Sequence, residues 1–435
     1  MTRRRFLKLG AAMAGAVLYG CEMSGKKNIK DFGKTFNYLS DPALRKKDMG
    51  DAQLVVEGAE FSGVRFKGQE WRNIKFVNCD FAGAYEIKQA LIEKSSFEGC
   101  KFAGIFNLGV LKQVRFVRCL ISGSSHVVGD TGSLDVTFEQ CEQIGKDPEP
   151  NHWGSFGSYG EVAFIKCKAK WTNVTGETQH LIRDCDFESV DCGVSDDGGG
   201  SAVLIENSRL LGDFDMRPAM LLSLTIRDST IGTLNLSDAT VKGDILMERV
   251  NAEKMNLAVA SGKAINLSGV KISGSGQKVF YLAANRVTSV LLNDCVLPSA
   301  PDSEAPWVGG AEQEPAYKSR PPVSQSVTLK NMKASRIDAT YLNTARLLVE
   351  GGNFQEVDMR NGRIGSLEIS NTSIASTLNL GSSVVDSLML SSVVFSKTLN
   401  LSNTQIKEFK QFGGTDIGKL GRNLNKEGSN IKLPR

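Results

Sequence analysis

The chain has 435 residues, 41% of them hydrophobic, with 52 basic and 48 acidic side chains. Four of the basic residues, Arg3, Arg4, Arg5 and Lys8, lie at the amino terminus, so the rest of the chain has 48 of each sign. This balance excludes the strongly basic surface of a nucleic-acid-binding protein and the strongly acidic surface of a polyanion mimic.

The first residues have the pattern of an export signal. A short apolar stretch follows the arginines and ends at Leu18, too short to span a bilayer as a permanent helix. Residues 2–8 (TRRRFLK) resemble a twin-arginine signal, and residues 18–21 (LYGC) resemble a bacterial lipoprotein cleavage box. The resemblance implies that residues 1–20 are an export signal and that Cys21 is lipidated. A cleaved soluble periplasmic protein and an uncleaved anchor are the alternatives.

Residues 21–50 are polar and contain several lysines. We expect them to form a tether and an amino-terminal cap over the structure that follows. Glu22 after the cysteine resembles the sorting pattern of outer-membrane lipoproteins. The predicted location is therefore the bacterial cell envelope, facing the periplasm and lipid-anchored, in the outer rather than the inner membrane.

A ladder of cysteines gives the strongest signal in the chain. Each of six cysteines follows an apolar residue by three positions, and the intervals between them are 21, 19, 22, 26 and 18 residues. These cysteines are Cys79, Cys100, Cys119, Cys141, Cys167 and Cys185. Self-similarity at this period predicts a solenoid, in which every unit buries its apolar face against its neighbours.

The spacing of apolar residues within each repeat indicates the shape of a coil. At the amino end, Phe61, Phe66, Trp71, Phe76 and Phe81 are five residues apart. A period of five fits neither an amphipathic helix nor a long alternating strand. It fits a coil of four short sides, with one apolar side chain turned inward from each side. We predict an all-β fold over residues 51–409, a parallel β-helix of about 15 coils with roughly 20 residues each.

These residues resemble the pentapeptide-repeat family over roughly residues 55–409. The segments Cys79-Asp80-Phe81 and Cys185-Asp186-Phe187 match its unit, in which a small residue stands two before a central Leu or Phe. The resemblance implies a right-handed, four-sided β-helix. A general right-handed β-helix, as in polysaccharide-acting enzymes, is the alternative.

The ladder cysteines are expected to be buried packing thiols. They occupy the position of the small residue in the repeat unit, where the side chain faces the core. There they act as small hydrophobic residues. Disulfides are an alternative, and metal binding is disfavoured because the chain has no Cys-x-x-Cys pair. Cys192 lies outside the ladder and either pairs with Cys185 or stays free.

Four insertions interrupt the regular coil length, and function on a solenoid usually lies in such loops. They span residues 123–132, 145–160, 191–200 and 298–322 and begin at nearly the same phase of the coil. We therefore expect them to form a single ridge along one edge. The residues predicted to bind a partner there are His152, Trp153, Phe156, Tyr159, Asp196, Asp197, Trp307 and Tyr317. The alternative is that these aromatic residues fold back over their own coils.

Two groups of residues resemble enzyme sites weakly. His126 and His152 lie in neighbouring insertions, whereas His180 falls in a slot expected to face inward. Converging metal ligands are not evident, so we predict no metal and no cofactor. Asp196 and Asp197, after Asp191, resemble the carboxylate pair of β-helical polygalacturonases, but a glycine-rich turn or a Ca²⁺ contact explains them as well. We assign no catalytic residue.

The sequence therefore predicts a non-enzymatic envelope lipoprotein that acts as a β-helical protein-binding scaffold. Residues 410–435 are locally basic and are expected to form a carboxyl-terminal cap or tail. A lipid-tethered scaffold suits an immunity or accessory protein that captures a toxin acting in the periplasm. The alternative is an envelope protein that binds or cleaves polysaccharide.

Overall fold

The computed structural model of the chain is a parallel β-solenoid of about 14 turns, with a spacing of about 21 residues between turns. It describes residues 27–82, 84, 86–122, 126–130, 132–144, 156–158, 160–174, 179–191, 200–216, 220–276, 279–298, 306–309 and 324–431. The predicted all-β fold is confirmed, and the number of turns is close to the number of coils expected from the repeats.

Every strand pairing among the described residues is parallel and joins one coil to a neighbouring coil. In the first half of the chain the strands are Lys27–Asn28, Leu54–Glu57, Ala59–Glu60, Arg65–Lys67, Glu70–Arg72, Ile74–Val77, Glu86–Lys88, Leu91–Glu93, Ser96–Glu98, Lys101–Phe102, Ile105–Asn107, Val110–Val117, Leu120–Ser122, His126–Gly129, Leu134–Glu139, Glu142–Ile144, Phe156–Ser158, Val162–Ile165, Lys168–Val174, Gln179–Arg183, Asp186–Asp191, Ser201–Glu206 and Arg209–Asp215. In the second half they are Met220–Arg227, Thr230–Asn235, Thr240–Glu248, Asn251–Leu257, Ser261–Ser268, Lys271–Ile272, Phe280–Ala283, Val287–Asn293, Trp307–Gly309, Ser324–Lys333, Arg336–Asp338, Asn343–Asp358, Arg363–Ser370, Ser373–Asn379, Val384–Ser391, Val394–Phe395, Thr398–Asn400, Gln405–Phe412 and Leu424–Asn425.

In the part of the chain that the structure describes, helical structure is confined to short elements. Two α-helices, α1 (Lys34–Ser40) and α2 (Pro42–Met49), precede the first coil. Three 3₁₀ helices span Ile29–Phe32, Ala284–Arg286 and Ile417–Asn423. No helix among the described residues is long and apolar enough to cross a membrane.

Stacks of strands form the sides of the rod. We call face A the stack that includes Ser201–Glu206, face B the stack that includes Leu120–Ser122, and face C the stack that includes Trp307–Gly309. A fourth, shorter stack at the amino end includes Glu70–Arg72. The four-sided coil inferred from the five-residue step is therefore present where that step occurs.

Inward side chains stack on their equivalents in neighbouring coils. On face A the rings of Phe76, Phe97, Phe116 and Phe138 are stacked, with centroid separations of 4.5 to 4.8 Å. Their spacing equals the distance between adjacent parallel strands, so each ring contacts the rings above and below it. The core is thus a continuous column, and identical residues at one coil position define the register between coils.

The residue at the corner after face A has left-handed backbone geometry in coil after coil. It follows the outward residue at the end of face A and precedes the small inward slot, as at Asn207 (φ 50°) and Asp228 (φ 48°). Equivalent positions are Asn78, Arg118, Gln140, Lys166, Asp184, Arg249, Asp294, Asn331, Asn371 and Ser392, with glycines at positions 58, 99, 269, 351 and 413. This geometry favours Gly, Asn and Asp, and it turns the chain sharply between faces A and B.

The six ladder cysteines occupy the inward slot after this corner, and all are buried. The described cysteines are free thiols. The Cys119 thiol donates to the carbonyl oxygen of Phe97 in the preceding coil at 3.2 Å, and the Cys167 thiol donates to that of Phe138 at 3.3 Å. Burial raises the pKa of Cys119 and Cys167 well above the ordinary thiol value. The expectation that these cysteines face the core is confirmed; Cys21 and Cys192 lie outside the described residues.

Different structures cover the two ends of the rod. At the amino end, the indole N–H of Trp71 donates to the carbonyl oxygen of Leu39 in α1 at 3.1 Å, which holds the helices against the first coil. At the carboxyl end, strand Gln405–Phe412 pairs with Val384–Ser391. The boundary expected at residue 409 therefore falls inside a strand, and Leu424–Asn425 adds one further pairing on face C.

Candidate functional site

Three of the four predicted insertions are interrupted by a strand of face C. Three of them contain a strand of the rod: His126–Gly129 lies within 123–132, Phe156–Ser158 within 145–160, and Trp307–Gly309 within 298–322. Each of these is thus two segments, one before and one after a face C strand. The segment from 191 to 200 begins at the last residue of strand Asp186–Asp191. Three of the four insertions are therefore not continuous loops; the single ridge falls largely on residues outside the described part of the chain and stays a prediction.

A row of polar residues lies at the end of the face C strands, just before the chain turns the corner. Along the rod, one residue of each coil lies in register at this position, and Asn or Asp occupies most of the second half. The side-chain oxygen of each accepts the backbone N–H two residues later, at 3.0 to 3.2 Å, for Asn235, Asn256, Asp338, Asp358, Asn379, Asn400 and Asn425. This is the hydrogen bond of an Asx turn, so the row stabilises the corner after face C.

Two aromatic residues interrupt this polar row. Tyr281 is in register with Asn256, Trp307 with Tyr281, and Asp338 with Trp307. The rings of Tyr281 and Trp307 are stacked, with centroids 4.0 Å apart and planes inclined by 13°. Because the two residues are neighbours along the rod, stacking at this distance directs the ring faces along the rod axis. Both side chains are partly exposed.

Gly309 makes room for the indole. Trp307 and Gly309 are two residues apart in one strand and are on the same side of it. A Cβ atom at Gly309 would lie 2.8 Å from the Trp307 Nε1 atom and 2.5 Å from the carbonyl oxygen of Thr340. The indole therefore lies over Gly309, and any side chain at that position would displace it.

Charged residues surround a shallow depression in the two coils that follow Trp307. The depression has a volume of about 150 Å³, and its lining includes Asp338, Asp358 and Arg360. Asp338 Oδ1 accepts both the N–H and the hydroxyl of Thr340, the latter at 2.7 Å. The hydrogen bond from Arg360 to Asp358 raises the pKa of Arg360 above its ordinary value. Asp338 is in register with Trp307 in the preceding coil, and each guanidinium of the depression has a carboxylate partner.

A larger depression, of about 420 Å³, lies on face A near the amino end. Its lining includes Lys94, Glu98 and Arg115, and two of these have partners, because Glu98 pairs with Lys75 and Arg115 with Glu139. It contains no aromatic side chain. We therefore regard face C as the better candidate for recognition.

The structure describes few of the residues predicted to bind a partner. Trp307 is described and forms the aromatic pair. The backbone of Phe156 is in register with Val127, so this position lies in a face C strand rather than in a loop. The other predicted residues, His152, Trp153, Tyr159, Asp196, Asp197 and Tyr317, lie outside the described residues.

The weak enzyme-like groups separate in the structure. His180 is 2% exposed and lies between Val162 and Val203 in an inward row of face A, as predicted. The backbone of His126 is on face C. Asp191 occupies the closing row of face C, in register with Asp215. Among the described residues, no three His, Cys, Asp or Glu side chains converge as metal ligands would.

Tyr281 and Asp338 are members of the candidate site that sequence reasoning missed. A signal was available: Tyr281 stands in Phe280-Tyr281-Leu282 where Asn256 stands in Met255-Asn256-Leu257. Most coils of the second half have Asn or Asp at this position, where the side chain makes the Asx-turn hydrogen bond. An aromatic residue there departs from that pattern. No known protein family, curated protein or solved structure matches this chain.

Proposed function

We propose that this protein is a non-enzymatic binding scaffold whose face C and flanking segments recognise a protein partner. The observation that carries the proposal is the partly exposed Tyr281–Trp307 stack within a row of turn-forming Asn and Asp residues. Neither aromatic side chain can supply the Asx-turn hydrogen bond, so the corner does not require them. Trp and Tyr are the residues most often responsible for binding energy at protein interfaces.

The proposed setting is the periplasmic side of the cell envelope. Its support is the twin-arginine-like segment and the lipoprotein-like box at Cys21 in the sequence. A lipid-tethered scaffold suits an immunity or accessory protein that captures a toxin or secreted enzyme in the periplasm. Radioactive lipid labelling in cells, compared between the natural chain and Cys21→Ser, tests the anchor; equal labelling of both would contradict it.

We further propose that the coils are divergent pentapeptide repeats in a right-handed rod. Support comes from Cys79-Asp80-Phe81, because Cys79 and Phe81 are both buried and separated by one residue, as the repeat unit requires. A crystal structure with left-handed coils would contradict this assignment.

Site-specific photocrosslinking in cells tests the recognition surface. A photoreactive phenylalanine analogue at Trp307 should crosslink the partner, whereas the same analogue at Leu291, 37% exposed on face A, should not. The crosslinked protein is then purified and its affinity measured. Tyr281→Ala/Trp307→Ala should weaken binding at least tenfold, and Leu291→Ala should not. Equal crosslinking from both positions would argue against face C.

A second candidate, recognition of an envelope polysaccharide, has its own support. Trp307 is in register with Asp338, which lines a depression together with Asp358 and Arg360, and saccharides bind through such combinations of a planar ring and charged hydrogen-bonding groups. Titration with neutral and uronic-acid oligosaccharides should then quench Trp307 fluorescence, measured against Trp307→Phe. Cleavage of a polymer that Asp196→Asn/Asp197→Asn abolishes would instead favour an enzyme.

A further inference from the structure

Charge is unevenly distributed along the chain. Residues 22–50 contain seven basic and four acidic residues, whereas residues 51–395 contain 33 basic and 41 acidic residues. Residues 396–435 contain eight basic and three acidic residues. The near-neutral chain is therefore an acidic rod with a basic segment at each end, and the amino-terminal basic segment follows Cys21 directly.

The helices α1 and α2 form the amino-terminal cap and carry four of these basic residues, Lys34, Arg45, Lys46 and Lys47. The buried side chain of Leu39 and the contact between the rings of Phe36 and Phe66, 5.9 Å apart, hold the helices on the first coil. Lys34, Lys46 and Lys47 are exposed. The cap therefore exposes lysines at the amino end of the rod, beyond the aromatic rings of the first coil.

The acidic side chains of the cap have partners within it. Asp41 accepts the backbone N–H groups of Ala43 and Leu44 at the start of α2, both at 3.0 Å. Asp48 accepts the hydroxyl of Tyr38 at 3.1 Å. These carboxylates stabilise the helices and form no ion pair with a described lysine of the cap, so the positive potential of its surface is only partly offset.

Arg45 is the unusual residue of the cap. Its side chain lies in α2 and is only 8% exposed, and its Nη1 atom is buried without a hydrogen-bond partner among the described residues. Burial lowers the pKa of Arg45, and the neighbouring positive charge of Arg72 lowers it further. A buried guanidinium nitrogen that lacks an acceptor is unfavourable, because its hydrogen bond to water is not replaced. An anion at this position would supply the missing acceptor.

We infer that the amino-terminal cap binds the anionic phosphate groups of a phospholipid surface, with Arg45 as the most buried donor and Lys46 and Lys47 beside it. Arginine matches the geometry of phosphate oxygens, and lysine clusters near a membrane are attracted to anionic lipids. The inference adds a second contact to the proposed lipid anchor. The six residues from Cys21 to Lys27 reach at most about 20 Å, so an anchored chain holds the cap against the bilayer.

Vesicle sedimentation tests this contact without the lipid anchor. The chain from residue 21 with Cys21→Ser is mixed with vesicles of phosphatidylglycerol or of phosphatidylcholine. We expect binding to the phosphatidylglycerol vesicles that weakens at least tenfold as salt rises, because salt screens the attraction. Equal binding to both vesicles, or none to either, would overturn the inference. The result does not depend on whether Cys21 is lipidated in cells, which the labelling experiment decides separately.

Substitutions at both ends of the rod identify the residues. Lys46→Glu/Lys47→Glu should weaken binding at least tenfold, whereas the matched change at the other end, Lys419→Glu/Arg422→Glu, should leave it unchanged. Arg45→Met, which keeps an unbranched apolar side chain and removes the guanidinium, should also weaken it, with circular dichroism used to verify the fold. Unchanged binding by Arg45→Met would remove Arg45 from the site. Displacement by millimolar inorganic phosphate would identify a soluble anion as the ligand and contradict a membrane contact.

Discussion

The backbone N–H of Cys185 donates a hydrogen bond to the hydroxyl oxygen of Ser208, one coil later, at 3.1 Å. In the preceding coil the N–H of Cys167 donates to the Cys185 sulfur at 3.4 Å. The thiol and the hydroxyl thus accept the same bond from the same corner of the coil. The ladder changes from cysteine to serine at this point without a change in the path of the chain.

We expect Cys185→Ser to change the free energy of unfolding by less than about 1 kcal/mol, because a hydroxyl there can donate to the Arg183 carbonyl and accept from Cys167, as the thiol does. Cys185→Leu should lower it by about 1–3 kcal/mol, because the slot has no space for a larger side chain. Urea denaturation of both variants tests whether Cys185→Leu is the less stable of the two. A Leu variant as stable as the natural chain would show that the slot is loosely packed.

The buried thiols predict a loss of stability at alkaline pH. Burial raises the pKa of Cys295 from 9.0 to about 11, so the folded state keeps the proton that the unfolded state releases. This contribution to the free energy of unfolding is complete below the ordinary thiol pKa. It is lost as the pH rises towards the pKa of the folded state. Between about pH 8 and about pH 10.5 the natural chain should lose about 1–2 kcal/mol more than Cys295→Ser.

Urea denaturation of the two chains at both pH values measures this difference. Lysine and tyrosine titration is common to both chains and cancels in the comparison. Equal losses in the two chains would mean that Cys295 ionises freely in the folded state.

The left-handed corners predict where glycine stabilises the fold. Gln140 has φ 55° and is exposed, so Gln140→Gly should raise the free energy of unfolding by about 0.5–1 kcal/mol through relief of the backbone conformation. Glu142, two residues later, is exposed in an extended strand. Glu142→Gly should lower the free energy of unfolding by a similar amount, about 0.5–1 kcal/mol. Thermal denaturation gives the midpoint temperature of each variant. Midpoints that shift in the same direction would contradict the assignment of Gln140 to a left-handed corner.

The aromatic pair depends on Gly309. The added methyl group in Gly309→Ala would meet Trp307 Nε1 and the Thr340 carbonyl, so the indole should rotate away from Tyr281. We expect a weaker near-ultraviolet circular dichroism signal and a loss of about 1–3 kcal/mol in the free energy of unfolding.

The smaller ring of Trp307→Phe, combined with Gly309→Ala, should recover part of that loss. If no part is recovered, crowding against the Thr340 carbonyl alone explains the cost and the indole position does not depend on Gly309.

The sequence predicted the regular part of the fold well. A cysteine three residues after Phe97 or Phe116 fixes the phase of two strands and the corner between them, so the inward slots followed directly. The corners themselves were not recognised, because Arg118 and Lys166 occupy them as readily as Asn207 and carry no compositional signal.

The candidate site was predicted less well, for a local reason. Strands of three or four residues, such as His126–Gly129 and Trp307–Gly309, are too short to show a periodic pattern, so each was included in an insertion. Only the pairing of Trp307 with Tyr281 shows that the aromatic residue belongs to a strand of the rod.

The parallel pairing between coils also determines how the rod should respond to force. Every inter-strand hydrogen bond joins one coil to the next and runs along the long axis. Tension on the two ends would load the coils in series, so they should detach one after another, each releasing about 21 residues, or ~70 Å of extended chain. Optical-tweezer extension should show such regular steps, and a single abrupt opening would contradict this. A rod of this kind lengthens step by step under load instead of breaking at one point.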